Sequence, residues 1–202
     1  MTRKILKPDD SYSFSRYFDL PFTLEDILLE FDCDVHRGLL PLPGGSAIDL
    51  SGLRQTLERN LRRTHLLNEA SRREALISPV LLEVCDLSNQ MLHIEYAISV
   101  DDYLKGTLDY YIASPTNLLV IEAKQSDLVK GFTQLAVELV ALDRWTRSDC
   151  PWLYGVVSTG EVWQFGVFDR QEQLILQDTR TYALFNDLER LVDILLSILR
   201  EN

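Results

Sequence analysis

Three charged side chains stand where this sequence could do chemistry. In "GTLDYYIASPTNLLVIEAK", residues 106–124, Asp109 lies inside an aromatic run, and Glu122 and Lys124 sit two residues apart at the end of the most apolar stretch of the chain. Side chains alternate across a strand, so a strand over 118–124 sends Glu122, Lys124 and Val120 to one face and Leu119, Ile121 and Ala123 to the other. By the same alternation Asp109 shares a face with Thr107 and Tyr111, and Leu108 shares the opposite one with Tyr110 and Ile112. A register that sets Asp109 beside Glu122 brings two carboxylates together with an ammonium close by. Like charges in a partly desolvated place need positive compensation, and Mg2+ or Mn2+ is a hard cation that prefers carboxylate, carbonyl and water oxygens. The main-chain carbonyl of Ala123 is the expected third ligand. Lys124, protonated, stays off the ion and is placed to stabilise negative charge developing on a phosphodiester under attack. This is a phosphoryl-hydrolysis centre in outline.

A Glu and a Lys two apart are common on protein surfaces, so the triplet alone says little. Its setting sharpens it: the triplet ends an apolar strand, Asp109 comes thirteen residues earlier on the preceding strand after Gly106, and a helix follows at once. On that helix Gln134, ten residues after Lys124, is placed to hold a water or a base edge, and Glu138 lies one turn further on the same side. Gln125 points away by alternation.

The elements that must position these groups read as follows. Residues 53–67 and 69–84 have helical spacing, the second through Ala70, Ile77, Val80, Leu81 and Val84, with Asn68 as its cap and Pro79 as an internal conflict that should kink it. "MLHIEYAISV", "GTLDYYIA" and "NLLVIEAK" are short, β-branched and aromatic, and read as two strands of a meander and a more central third. Residues 126–145 return to helical spacing. "WLYGVVSTG" and "EVWQFGVFD" pair as a hairpin, and "FNDLERLVDILLSILR" closes the chain as an amphipathic helix. The order helix, three strands, helix, two strands, helix predicts an α/β core, a mixed sheet with helices on each face. Residues 1–52, broken by Pro21, Pro41, Pro43, Gly44 and Gly45, read as an accessory segment on a compact domain over 53–202, with a short helix capped by Thr23 and Ile27, Leu28 and Phe31 turned inward.

Composition narrows the partners. At 202 residues the chain suits one substantial core, and no apolar run approaches the roughly 18 residues of a membrane helix. "MTRKILKPDD" has no apolar stretch and does not read as a secretory signal; with Cys33, Cys85 and Cys150 odd in number and far apart, a reducing cytoplasm is the expected compartment. The net charge of −11 repels nucleic acid. A DNA-handling protein of this charge needs a partner that supplies basic surface or a local patch, and one exists: Arg54, Arg59, Arg62, Arg63, Arg72 and Arg73 face only Glu58, Glu69 and Glu74. His36, His65 and His93 lack metal-ligand spacing, and no Gly-rich loop with a lysine binds a nucleotide.

With those residues in place, "GTLDYYIASPTNLLVIEAK" and the helix bearing Gln134 resemble the core of the PD-(D/E)xK nuclease superfamily, the restriction-endonuclease-like fold, over roughly residues 68–168. "NEASRREALISPVLLEV" resembles the first core helix of the nuclease domain of type I restriction enzymes and of related bacterial and cyanobacterial proteins, and "VVSTGEVWQFG" the strand and turn after the second helix. The resemblance implies a restriction-endonuclease-like core, a Mg2+- or Mn2+-dependent deoxyribonuclease, metal on Asp109 and Glu122, catalytic help from Lys124, a role for Gln134, and a metal-binding acid on the first helix, here Glu69. Leu108 replaces the usual proline before the first acid. Glu83 rivals Glu69, but on an ideal helix the two lie about 40° apart around the axis and about 21 Å along it. Glu69 is preferred because Arg73 sits one turn on, where it can orient the acid or, with Arg72, meet a phosphate. DNA is the expected substrate, a homodimer would supply two centres for cutting both strands, and the alternative is a non-catalytic module of the same fold acting in binding or assembly.

Overall fold

The computed structural model describes residues 4–7, 9–115 and 117–200. In chain order it forms α1 (Phe14–Asp19), α2 (Leu24–Leu29), β1 (Asp34–Gly38), α3 (Ser51–Arg63), α4 (Glu69–Arg72), a π-helical turn (Arg73–Ile77), α5 (Ser78–Ser88), β2 (Leu92–Ser99), β3 (Lys105–Ala113), β4 (Leu118–Ala123), α6 (Leu128–Trp145), β5 (Trp152–Ser158), β6 (Val162–Asp169), β7 (Leu174–Asp178), β8 (Tyr182–Ala183) and α7 (Leu188–Leu199). Among the described residues the strands make one mixed eight-stranded sheet, ordered β1-β7-β6-β5-β4-β3-β2, with β8 paired to β6. The β4–β5 and β1–β7 pairs are parallel and the others antiparallel.

Strand β4 is buried at all six positions because it lies mid-sheet with helices over both faces. Leu119, Ile121 and Ala123 join the core under α3, α5 and α7, whereas Leu118 and Val120 join the core under α1, α2 and α6. Glu122 is the one charge in that strand and is 1% exposed. The closing helix α7 turns Leu188, Leu191, Val192, Leu195, Leu196 and Leu199 inward, each such burial stabilising by about 1.5–3 kcal/mol. No described helix is long and apolar enough to cross a membrane.

The expected order of elements is the observed one, with additions. Residues 173–183 add β7 and β8, and the N-terminal segment adds β1, which pairs in parallel with β7 at the sheet edge. The Thr23 hydroxyl caps α2 by accepting from the Asp26 amide at 3.2 Å, and Ile27, Leu28 and Phe31 are buried as expected. The expected helix over 69–84 is present with an irregularity just before Pro79, and one expectation is corrected. The helix beginning at Glu69 runs to Ser88 despite Pro79: Ser78 N–H bonds back to Arg73 O, five residues earlier, so the ladder restarts and Pro79 falls in the first turn of α5, where a missing N–H costs little. The correction is in β3, where strict alternation does not hold. Tyr110 and Ile112 face one core, but Leu108 joins the other with Tyr111. The pleat is broken at Asp109, opposite Glu95, whose φ of 55° is left-handed.

Candidate active site

The register Tyr110↔Ile121 is the last pair of the β3–β4 ladder, and continued by one residue it brings Asp109, midway along β3, level with Glu122 near the end of β4. Asp109 takes the place of a ladder carbonyl: its Oδ2 accepts the Ala123 N–H at 2.8 Å. Its Oδ1 faces the Arg73 guanidinium at 3.3 Å, and Arg73 also pairs with Glu95 at 2.6 Å and lies over the Tyr110 ring. Burial pushes the Asp109 carboxyl up from its ordinary range, against the pull of the Ala123 amide and of Arg73 and Lys124.

Glu122 and Lys124 leave β4 toward α6, as alternation requires, and their charged ends pair directly. Burial draws the Lys124 ammonium down, but the Glu122 carboxylate more than offsets this and Lys124 is raised overall, so it stays protonated. Lys124 N–H extends the parallel ladder to Ser158 O at 2.8 Å. From the N-terminal segment Phe18 sets its ring 5.4 Å below the Lys124 ammonium. α6 can approach the lysine only because residue 131 is glycine, where a Cβ would stand 2.7 Å from both Lys124 Cγ and Val157 Cγ2.

Behind Glu122 lies a buried polar group. Gln134 Nε2 donates to Glu122 Oε1 at 2.6 Å and to Glu138 Oε1 at 2.9 Å. Glu122 Oε2, Gln134 Oε1 and Glu138 Oε2 are buried without a hydrogen-bond partner among the described residues. All three are acceptors, so a proton or a cation is what would satisfy them. Burial lifts Glu138 to about 8, and burial together with Glu138 lifts Glu122 well above the carboxylate range.

Each expected residue has a definite place. Glu69, half-buried in the capped first turn of α4, is raised by burial, and its electrostatic neighbours are Lys124, Asp109 and Arg73. The π turn lies between Glu69 and Glu83 and voids the ideal-helix phase used to compare the two. Among the described residues no three His, Cys, Asp or Glu side chains meet as the ligands of one ion. Arg73 is committed to Asp109 and Glu95, and Arg72 to Thr159 O at 3.1 Å and Glu161 at 2.7 Å, so both arginines, expected at phosphate, have internal partners. Arg54 is likewise paired, with Glu189 at 2.7 Å. Cys33 and Cys85 are buried free thiols, and Cys150 is buried beside the Ser148 hydroxyl at 2.8 Å.

Sequence reasoning left Glu95 and Phe18 out of the site. Neither carried a local signal: Glu95 reads as an ordinary strand residue, and Phe18 arrives by tertiary packing. Glu138, four residues after Gln134, and Gly131, inside a helical stretch, did carry one. The chain matches no protein-family model and no curated protein.

Proposed function

We propose that this protein is a divalent-metal-dependent nuclease that hydrolyses phosphodiester bonds in DNA, built on a restriction-endonuclease-like core of PD-(D/E)xK type. The observation that carries this reading is the convergence of Asp109, midway along β3, with Glu122 and Lys124 at the end of β4, and Gln134 fixing Glu122 from α6. The residues present suit a hard cation. Their donors are carboxylate and carbonyl oxygens, Glu122 Oε2 is buried without a partner among the described residues, and the raised acids at positions 69, 109 and 122 mark a place where added positive charge is stabilising. Asp109, Glu122 and the Ala123 carbonyl would hold Mg2+ or Mn2+, with Glu69 reaching in from α4. When bound, the ion supplies Lewis acidity and charge neutralisation at the scissile phosphate.

The chain's own groups supply the rest. Hydrolysis adds a water oxygen to phosphorus and breaks one P–O bond, so negative charge builds on the phosphoryl oxygens. Lys124, kept protonated by Glu122, faces that charge from a site shielded by Phe18. Arg73 and the Ala123 amide fix Asp109, and Gln134 fixes Glu122, so neither carboxylate must reorganise as charge moves.

A second reading, a non-catalytic module of the same fold acting in binding or assembly, is favoured by the internal neutralisation of the acids by Arg73 and Lys124 and by the net charge of −11. A panel of single-stranded, duplex, nicked and flapped DNA offered with Mn2+ separates the two. The nuclease reading expects cleavage by the wild type and its loss, with circular dichroism unchanged, in Asp109→Ala and Lys124→Ala. Intact DNA of every form after incubation with the folded wild type would leave the binding module.

A further inference from the structure

Beside the site, between α1, α2 and the first turns of α6, lies a groove of about 620 Å3. Tyr17, Phe18 and Phe22 supply its aromatic lining, and Lys130, Thr133, Gln177 and the Arg37–Glu25 ion pair its polar lining. The groove and the site share a wall. The Phe18 ring carries Lys124 at 5.4 Å and Lys130 at 5.5 Å, so the two ammonium groups lie within about 11 Å of each other around one ring. Lys124 is neutralised by Glu122, but among the described residues Lys130 makes no ion pair. In a chain of net charge −11, an uncompensated lysine beside an open aromatic cleft is a local reversal with a use.

We infer that this groove seats a single-stranded segment of the nucleic acid next to the scissile phosphate, with a base against Phe18 and Phe22 and a backbone phosphate on Lys130. The inference rests on the nuclease reading for the position of the scissile phosphate, and it adds the substrate class. Aromatic faces beside a cation bind unstacked bases without regard to sequence, whereas bases inside a duplex offer no free face. Charge points the same way. A duplex is a stiff rod with one negative charge per about 1.7 Å, and it must lie along a surface that repels it. A flexible strand can enter between α1 and α6 and meet Lys130 while keeping the rest of its charge in solvent. Arg37 is held at the far wall by Glu25 at 2.7 Å and Gln177 at 2.9 Å, a polar rim where the strand leaves.

The test uses a fluorescein-labelled oligodeoxythymidine and a hairpin duplex of equal charge, titrated with the full chain in EDTA and followed by anisotropy. The wild type should bind the single strand at least about tenfold more tightly than the duplex. Phe18→Leu should weaken single-strand binding about tenfold and leave the duplex value unchanged, Phe18→Tyr should restore it, and Lys130→Ala should lower the salt slope by about 0.7. Equal affinity for the two forms, or a Phe18→Leu protein that melts like the wild type and binds the single strand as well, overturns the groove. The two readings fail separately. Groove-dependent binding with no cleavage in Mn2+ removes the nuclease and keeps the groove; cleavage with a single-strand preference untouched by Phe18→Leu does the reverse.

Discussion

Glu122 and Glu138 are joined through one amide nitrogen, that of Gln134, at 2.6 and 2.9 Å, in a place that water does not reach. Two carboxyls so close and so buried titrate as a pair. Near neutrality the pair retains a proton, because burial lifts Glu138 to about 8 while Glu122 faces the Lys124 ammonium. The site is therefore built at a cost in stability, the pattern expected where catalytic groups are held ready.

That cost has a sign and a window. Glu138 has its ordinary value of 4.5 in the unfolded chain and about 8 in the folded one. Below about 4.5 both states carry the proton and the group is neutral to stability. Between 4.5 and 8 the unfolded carboxyl ionises while the folded one stays protonated, so stability falls as pH rises. In EDTA, urea midpoints of the wild type should fall from pH 5.5 to pH 8, and Glu138→Gln should flatten that fall and be the more stable protein at pH 8. A Glu138→Gln variant with the wild-type slope would remove the buried-acid account.

Lys124 and Glu122 should show strong coupling in a double-mutant cycle. Removing one partner of a buried pair leaves the other uncompensated and costs about 3–5 kcal/mol, whereas removing both leaves a neutral site of similar shape. Lys124→Met and Glu122→Gln should each destabilise the metal-free protein more than the double variant does. Additive losses, measured by chemical denaturation, would mean that the pair is not the one described. On the nuclease reading, all three variants should fail to cleave DNA.

Gly131 sets helix propensity against packing. Alanine in a helix interior gains about 1 kcal/mol over glycine. Here the added methyl meets Lys124 Cγ and Val157 Cγ2 at 2.7 Å, and neither is the far end of a flexible chain. Overpacking costs about 1–3 kcal/mol, so packing wins and Gly131→Ala should lower the denaturation midpoint. On the nuclease reading it should also lower kcat more than it raises KM, because the group it displaces is the lysine stem. A stabilised Gly131→Ala protein would show that α6 can shift away without cost.

How much of this was legible in the sequence depended on how local each cause was. Glu122 stood out because a central strand reads as an unbroken apolar run, and one acid at its end is conspicuous. The pairing of Asp109 with β4 followed from the short "SPTN" connection. Leu108 was misplaced because alternation assumes an unbroken pleat, and the break comes from Glu95 on the neighbouring strand. Strand β1 was missed for a similar reason: its partner β7 lies far along the chain, as in the contact of Arg37 with Gln177, 140 positions later, and nothing within five mostly exposed residues records it. Phe18 belongs to the same class, since only the fold brings it beneath Lys124.

Arg73 and Arg72 are neighbours in sequence with different work, and pH separates them. Arg73 stands 3.3 Å from Asp109 and opposes the rise that burial imposes on that carboxyl, while Arg72 ties α4 to the β5–β6 turn through Thr159 O and Glu161. If ionised Asp109 is needed for cleavage, activity is lost as pH falls through its pKa. Replacing Arg73 by Met removes an opposite charge, raises that pKa, and should move the acid limb of the kcat/KM profile to higher pH. Arg72→Met should lower thermal stability with the acid limb in its original place. Should both variants keep the wild-type limb, Asp109 is not the group whose ionisation controls the reaction, and the guanidinium beside it serves only to hold Glu95 and β2 against the helix.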